Sequence, residues 1–235
     1  MAIQDGEFSA LSPQQIQETE SRAYIPEHII SYVCAVSRAI PHLVEDYLFY
    51  EKEEFIVFIG YPLSGEFSKE SLRAHLARLQ RAFPSRPISL IAPEDVYSST
   101  ECMEMSTDEY YRLELMSFAP GQKVRNMINR ARQELEIVRE ERLGREHEQL
   151  IGEFIETHHP SPATKAIFEN ISKYVTSSRT ATLISAWRRR RDFSLQGRGG
   201  GKLAAFDVVD TASSDYAFYM FNFSSRETYV PGASD

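Results

Sequence analysis

The chain has 235 residues, which is enough for one large or two small domains with a substantial buried core. Its 42% hydrophobic and 26% charged residues are typical of a globular protein, and a net charge of -8 argues against wholesale nonspecific binding of nucleic acid. No apolar run approaches the roughly 20 residues that a membrane span needs, and the amino terminus lacks the pattern of a secretory signal. Two cysteines, Cys34 and Cys102, exclude a disulfide framework and a cysteine-based zinc site. These features favour a cytoplasmic protein.

The first elements predicted along the chain are a helix and a hairpin. Residues 1–25 are polar and weakly patterned, and we expect a leader there. From Pro26, apolar residues recur at helical spacing until Pro41, which predicts a helix. Glu45–Tyr50 and Phe55–Tyr61 then predict an antiparallel hairpin. The second of these strands is apolar without alternation, which is typical of a central strand with both faces covered.

A helix and a strand complete the first half. Ser68 is suited to cap a helix, and Pro84 is suited to end it. The buried stripe of this helix is predicted to comprise Leu72, Leu76, Leu79 and Phe83. Ile88–Ala92 is another apolar strand. Residues 26–108 therefore predict one α/β layer in the order helix, strand, strand, helix, strand.

The second half begins with a linking segment over residues 109–133, predicted to hold a strand, Glu109–Met116, and a basic helix, Lys123–Arg132. Residues 134–235 then read strand, helix, helix, strand, strand, strand. The predicted spans are Glu134–Val138, Leu143–Phe154, Ser161–Tyr174, Ala181–Trp187, Leu203–Val209 and Tyr216–Phe223.

The carboxyl-terminal segment predicts a helix start that follows a strand. Lys202–Asp210 and Asp215–Phe223 form a predicted antiparallel hairpin around a short polar turn. Tyr229–Asp235 follows and contains Pro, Gly and two residues suited to cap a helix. A strand, a small-residue loop and a helix amino terminus together form a common phosphate cradle. We therefore expect part of the machinery to lie beyond residue 235.

A family resemblance emerges from four segments. Tyr111–Arg132 is similar to the linker strand and basic helix between the tandem GNAT-like domains of Fem-like aminoacyl transferases and of the soluble catalytic portion of phosphatidylglycerol lysyltransferase. Phe58–Leu63, Leu203–Asp207 and Tyr219–Asn222 resemble other strands of those domains. The resemblance covers residues 26–235. It implies an α/β (α+β) fold of two GNAT-like mixed-sheet halves with helices packed on the sheets, the second half truncated.

The activity that the resemblance implies is transfer of an acyl or aminoacyl group, from acyl-CoA or aminoacyl-tRNA, to an amine or hydroxyl acceptor. Such a site works by proximity and by backbone stabilisation of the oxyanion, with no metal and no enzyme nucleophile. The resemblance assigns no catalytic base. The alternative is a non-catalytic module on a degenerate GNAT fold that binds a ligand or a protein.

The resemblance also implies site residues around the last strand. Those expected to bind the donor cofactor are Val230, Gly232, Ala233 and Ser234. Those expected to bind substrate there are Tyr219, Asn222 and Tyr229; Arg189 and Arg190 are further expected substrate contacts, because they lie in the densest run of positive charge. Strand alternation predicts that Tyr219 shares a face with Phe221 and Phe223, and that Asn222 lies on the other face.

Four further features have competing interpretations. Gln196–Gly201 fits an acetyltransferase glycine pattern, but it precedes a strand, which favours a hairpin loop. Arg188–Arg191 is interpreted as a solvated strand end or as a contact for tRNA phosphates or an anionic lipid headgroup. His158–His159 favours a helix end over a metal site, and His147 favours a core position. Nucleic-acid binding through basic patches is the third functional hypothesis.

Overall fold

A computed structural model describes residues 11–98, 104–189 and 201–233. The chain divides after Tyr110 into two compact units, with Ala212–Tyr216 belonging to the first. The described residues form seven α-helices and two four-stranded sheets, one sheet in each unit, which confirms the predicted α/β class. None of the described helices is both long enough and apolar enough to cross a membrane.

The first unit is built on a mixed sheet in the order β1-β2-β3-β4. Its neighbours are antiparallel except for β3 and β4, which run parallel with helix α3 between them in sequence. Its elements are α1 (Pro13–Ser21), a 3-10 helix (Pro26–His28), α2 (Ile30–Ser37), β1 (Ile40–Val44), β2 (Tyr47–Glu51), β3 (Ile56–Ile59), α3 (Lys69–Ala82) and β4 (Ile88–Ile91).

Strand β3 lies at the centre of this sheet and is covered on both faces, as predicted. Successive residues of a strand point to opposite faces, so Phe58 and Ile59 enter different clusters. On one face the sheet packs against the predicted stripe of α3, through Phe49, Phe58, Leu72, Leu76 and Leu79. On the other face it packs against the amino-terminal helices, through Ile25, Ile30, Leu48, Tyr50 and Ile59.

One prediction for the amino-terminal region needs correction. The helix predicted to run on to Pro41 is wrong beyond Ser37, because Arg38 adopts a left-handed conformation (φ 58°) that ends α2 and lets β1 begin at Ile40. The segment expected to be a leader contains α1, which begins at a capping box between Ser12 and Gln15. Its residues are too polar to give an apolar stripe.

The second unit contains a sheet in the order β5-β6-β7-β8, antiparallel at each of these pairings. The predicted order of elements after the linking segment is confirmed except at the helix predicted over Ser161–Tyr174, which is divided into two helices because Asn170 leaves helical geometry (φ -103°, ψ 5°). The elements are α4 (Gln122–Glu134), β5 (Leu135–Glu140), α5 (Arg145–His158), α6 (Pro162–Glu169), α7 (Ile171–Ser177), β6 (Ala181–Arg188), β7 (Leu203–Asp210) and β8 (Phe218–Ser224).

Helices cover both faces of this second sheet. Aromatic rings join α5 and α6 to one face, through Phe154, Phe168, Phe206 and Phe223. On the opposite face α4 packs against small side chains and the segment after β8, through Ala131, Leu135, Ala186, Ala205 and Val230. The small residues allow α4 to approach the sheet closely.

The strand predicted over Glu109–Met116 is wrong. Residues 104–121 contain no helix or strand, and Tyr111 and Met116 are 90% and 95% exposed. The segment alternates apolar and polar residues as a strand does, but alternation becomes a strand only where a neighbouring strand supplies the hydrogen-bond ladder. The predicted basic helix does form, as α4.

Candidate functional site

A β-bulge decides which way the predicted substrate residues of β8 point. The pairing of β7 with β8 shifts between Val208 and Val209, so that Val208 faces Phe221 and Val209 faces Tyr219. The extra residue, Met220, reverses the face to which Tyr219 points. The predicted separation of Tyr219 from Asn222 is therefore wrong.

Tyr219 and Asn222 instead meet at one carboxylate. The Tyr219 hydroxyl donates to Asp207 Oδ1 at 2.7 Å, and the Asn222 amide donates to the same oxygen at 2.6 Å. Tyr219 is 60% exposed, so this group of three lies at the surface of the sheet. Phe221 and Phe223 point the other way, toward the ring of Phe168.

The predicted cofactor-binding segment packs along α4. Val230 is fully buried in the cluster beneath this helix, and Ala233 donates its N–H to the Val230 carbonyl. Gly232 has a positive φ of 84°, and a Cβ at this position would lie 2.8 Å from the carbonyl of Met127. Tyr229 is largely exposed. Ser234 lies outside the described residues.

The basic residues of this unit gather at α4 and at the end of β6. The Arg189 side chain donates to the Leu135 carbonyl at 2.9 Å, and Arg188 lies 3.6 Å from Glu134. The basic side chains of α4 are exposed, and they are Lys123, Arg125, Arg130 and Arg132. Arg190 and most of the Gln196–Gly201 loop lie outside the described residues.

Two histidines of the second unit have structural roles: His147 lies in the core, and His158 lies at the end of a helix. His147 is buried, as predicted, and its Nε2 lies 2.8 Å from Ser185 Oγ and 3.2 Å from Glu140 Oε2. Burial lowers the pKa of His147, more than the neighbouring Glu140 raises it. Helix α5 ends at His158, which confirms the predicted helix end. Among the described residues no group of three His, Cys, Asp or Glu side chains is placed to hold a metal ion.

The strongest concentration of perturbed titratable groups lies in the first unit, at the carboxyl end of β3. In sheets with parallel strands, ligands bind beyond the carboxyl ends of those strands. Here Gly60 donates its N–H to the Ile91 carbonyl, which holds the ends of β3 and β4 together. Tyr61 follows directly.

The 3-10 helix is fastened to this strand end. His28 Nε2 donates to the Tyr61 carbonyl at 3.0 Å, and the Tyr24 hydroxyl donates to the Pro62 carbonyl at 2.9 Å. The Tyr50 hydroxyl donates to the Glu27 carbonyl at 2.7 Å. These bonds hold the backbone that carries Glu27 beside the end of β3.

Three tyrosines and one carboxylate form what we call the aromatic–carboxylate cluster: Tyr24, Glu27, Tyr61 and Tyr110. The Tyr110 hydroxyl donates to Glu27 Oε2 at 2.9 Å. The rings of Tyr61 and Tyr110 are 6.0 Å apart and nearly perpendicular, at 88°. Tyr110 is 47% exposed, so the cluster reaches the surface.

The protonation equilibria of the cluster follow from its burial. Burial raises the pKa of Glu27, against the lowering effect of hydrogen bonds from its own backbone and from Tyr110. Burial also raises the pKa of Tyr24 to about 12 and lowers the pKa of His28 to about 4. The pKa of Tyr110 is raised by burial first and then by the charge of Glu27. Such shifts are concentrated at functional sites.

Sequence reasoning missed this cluster because its members come from distant segments. Glu27 and Tyr110 are 83 positions apart, and no local motif joins them. Phe58–Leu63 stood out in the sequence, but as a fold element rather than as a site. The available signal was Glu27 between Tyr24 and Tyr32, which acquires meaning only when β3 and the 3-10 helix are adjacent.

Comparisons with known proteins give a fold relative. No family model and no curated protein matches the chain. The chain is similar to a solved structure described as a conserved protein of unknown function from Bacteroides thetaiotaomicron VPI-5482. The TM-score is 0.52 at 12% identity, over 97% of this chain and 82% of that chain. At this identity the similarity concerns the fold alone.

Proposed function

We propose that the protein transfers an acyl or aminoacyl group from acyl-CoA or aminoacyl-tRNA to an amine or hydroxyl acceptor. The observation that carries this proposal is the partly buried Glu27 at the carboxyl end of β3, whose pKa is raised by burial. Amine acceptors are protonated at neutral pH, so they need a base before they can attack a carbonyl carbon. A carboxylate with a raised pKa is suited to that task.

Glu27 would take one proton from the acceptor ammonium group. The free amine then forms a carbon–nitrogen bond with the donor carbonyl, and the carbon–sulfur bond of a thioester or the carbon–oxygen bond of a tRNA ester breaks. The second nitrogen proton passes to the departing thiolate or alkoxide. Once Glu27 has taken up the proton and no longer needs a donor, the Tyr110 hydroxyl, 2.9 Å away, can turn its own proton to the carbonyl oxygen and stabilise the charge there.

The charge of the second unit supports an anionic donor. Helix α4 contains four basic residues over Gln122–Glu134, with Glu134 its sole acidic residue, although the whole chain has a net charge of -8. Coenzyme A and tRNA are both polyanions, and basic surfaces attract them over distance. This supports the donor class without distinguishing its two members.

A second candidate, a non-catalytic ligand- or protein-binding module, is favoured by the packing of the predicted cofactor segment. Val230 is fully buried, and Gly232 lies against the backbone of α4. Asp207 is already hydrogen bonded to Tyr219 and Asn222. A module of this kind would use the same fold without turnover.

Turnover with activated donors distinguishes the two candidates. The full chain is incubated with acetyl-CoA or aminoacyl-tRNA and with n-butylamine or n-butanol as acceptor, and amide or ester product is measured by mass spectrometry. We expect Glu27→Gln to lower kcat by about 100-fold or more, the usual contribution of a general base. The matched control, Glu18→Gln on the exposed face of α1, should keep wild-type activity. Absence of product with every donor would leave the binding module as the function.

A further inference from the structure

The Glu27 carboxylate is partly buried, and in the described part of the chain no lysine or arginine forms an ion pair with it. The nearby charge that acts on it, Asp108, is also negative. Burying an uncompensated carboxylate is costly. A cationic ligand beside Glu27 would offset that cost, whereas an anionic ligand would increase it.

The rings around Glu27 are suited to the same kind of ligand. Tyr61 stands nearly perpendicular to Tyr110, with centroids 6.0 Å apart, and at 66° to Tyr24, with centroids 6.1 Å apart. The faces of aromatic rings are electron-rich, and they attract an ammonium group within about 6 Å of the ring centroid. Rings set at these angles present faces in more than one direction.

We propose that the aromatic–carboxylate cluster binds a primary alkylammonium ion. Its N–H groups would donate to the Glu27 carboxylate and to the Tyr110 hydroxyl oxygen, and the ammonium group would lie over the face of Tyr61. The assignment of this ion as the acceptor rests on the proposed function, whereas its binding does not. The inference specifies amines, rather than hydroxyl compounds, as the acceptor class.

Calorimetric titration of the full chain, without any donor, tests the binding. The probes are n-butylammonium chloride and n-butanol, which has a similar chain and no charge. We expect the ammonium ion to bind about tenfold more tightly than the alcohol. In Glu27→Gln the ammonium ion should bind no more tightly than the alcohol. Glu18→Gln should bind the ammonium ion as the wild type does.

A second pair of variants tests the rings. Tyr61→Phe keeps the ring and should retain affinity, whereas Tyr61→Leu should lose about two- to fivefold, the range of an exposed cation–π contact. Thermal melts of each variant show whether it is folded. Equal binding of n-butanol and n-butylammonium, or wild-type affinity in both folded Glu27→Gln and folded Tyr61→Leu, would overturn the inference.

The outcomes separate this inference from the proposed function. Ammonium binding without amide or ester product would refute group transfer and leave the binding site intact. Product from hydroxyl acceptors without ammonium binding would refute the binding site and leave group transfer intact.

Discussion

Glu27 and His28 are neighbours in the 3-10 helix, but their side chains enter different surroundings. Glu27 points toward tyrosine rings and the surface, where a charge can be used. His28 is fully buried and donates from Nε2 to the Tyr61 carbonyl, so its Nδ1 is unprotonated. Among the described residues that Nδ1 has no hydrogen-bond partner, and a proton added to it would bring an uncompensated charge into the core.

His28 therefore makes the stability of the chain sensitive to acid. Its pKa falls from 6.5 in the unfolded chain to about 4 in the folded chain, because burial disfavours the charged ring. The stabilisation is complete above pH 6.5 and is lost as the pH falls from 6.5 to about 4, where the unfolded state binds a proton that the folded state refuses. The loss amounts to about 3 kcal/mol at 1.36 kcal/mol per pKa unit.

Urea unfolding of the wild type and of His28→Gln, at pH 7.5 and pH 4, measures this effect. Glutamine keeps a donor for the Tyr61 carbonyl but does not titrate, so the variant should lose about 3 kcal/mol less than the wild type over this interval. Other groups titrate in both proteins, which is why the comparison is a difference. Identical pH dependence in the two proteins would contradict the assignment.

At the scale of elements, the approach of α3 to the parallel strands depends on Gly60. A Cβ at this position would lie 2.9 Å from Leu72 Cδ2 and 3.1 Å from the Ile91 carbonyl oxygen. Gly60→Ala should therefore destabilise the first unit by about 1–3 kcal/mol, the usual cost of overpacking. Thermal unfolding followed by circular dichroism measures the change.

Gly152 in α5 provides the matched control, because nothing lies within 4 Å of a Cβ built there. Gly152→Ala should be neutral or stabilising by about 0.5–1 kcal/mol, since alanine loses less backbone entropy in a helix. If both alanine variants melt at the same temperature as the wild type, the close approach at Gly60 is not a constraint.

Sequence patterns predicted those helices and strands in which the spacing of apolar residues within the segment determines the structure. The stripe of α3, helix α5 and the strands after residue 134 appeared as expected, because apolar spacing within each segment sets its buried face, whereas the helix predicted over Ser161–Tyr174 is divided at Asn170. The failures depend on events that local spacing does not encode. The left-handed turn at Arg38 divided a predicted helix, and the absence of a pairing strand left 109–116 irregular.

The candidate site was less predictable than the fold. The structure shows the contacts of Tyr219, Asn222 and Val230 around β8, and the ligand roles expected for them stay predictions. Glu27, Tyr61 and Tyr110 were not singled out as a site, because three separate segments must first come together. A sequence pattern can indicate which residues are buried, but it does not show which distant side chains share a hydrogen bond.

At the scale of the whole molecule, the exposed segment 104–120 lies at the boundary after Tyr110. A protease requires an accessible, unpaired stretch of backbone. We expect brief chymotrypsin treatment of the folded chain to cut within Tyr111–Phe118, where several large side chains are exposed. Intact-mass spectrometry identifies the fragments.

Buried aromatic residues provide the internal comparison for that digestion. Sites such as Phe58 and Phe206 should resist cleavage until urea unfolds the chain, because the protease cannot reach them. First cuts inside β3 or β7 would show that the boundary segment is not the most accessible part of the described chain.

The single additional residue in β8 also has a practical consequence for protein engineering. Because Met220 sets Tyr219 and Asn222 on one side of the strand while Phe223 keeps its place on the other, surface chemistry and core packing are encoded by different positions of the same hairpin. A mutant library that randomises Tyr219 and Asn222 should therefore retain folded members at high frequency. Deleting Met220 should remove the bulge and leave Tyr219 opposite Val209, so Tyr219 and Asn222 should stay on one side of the strand.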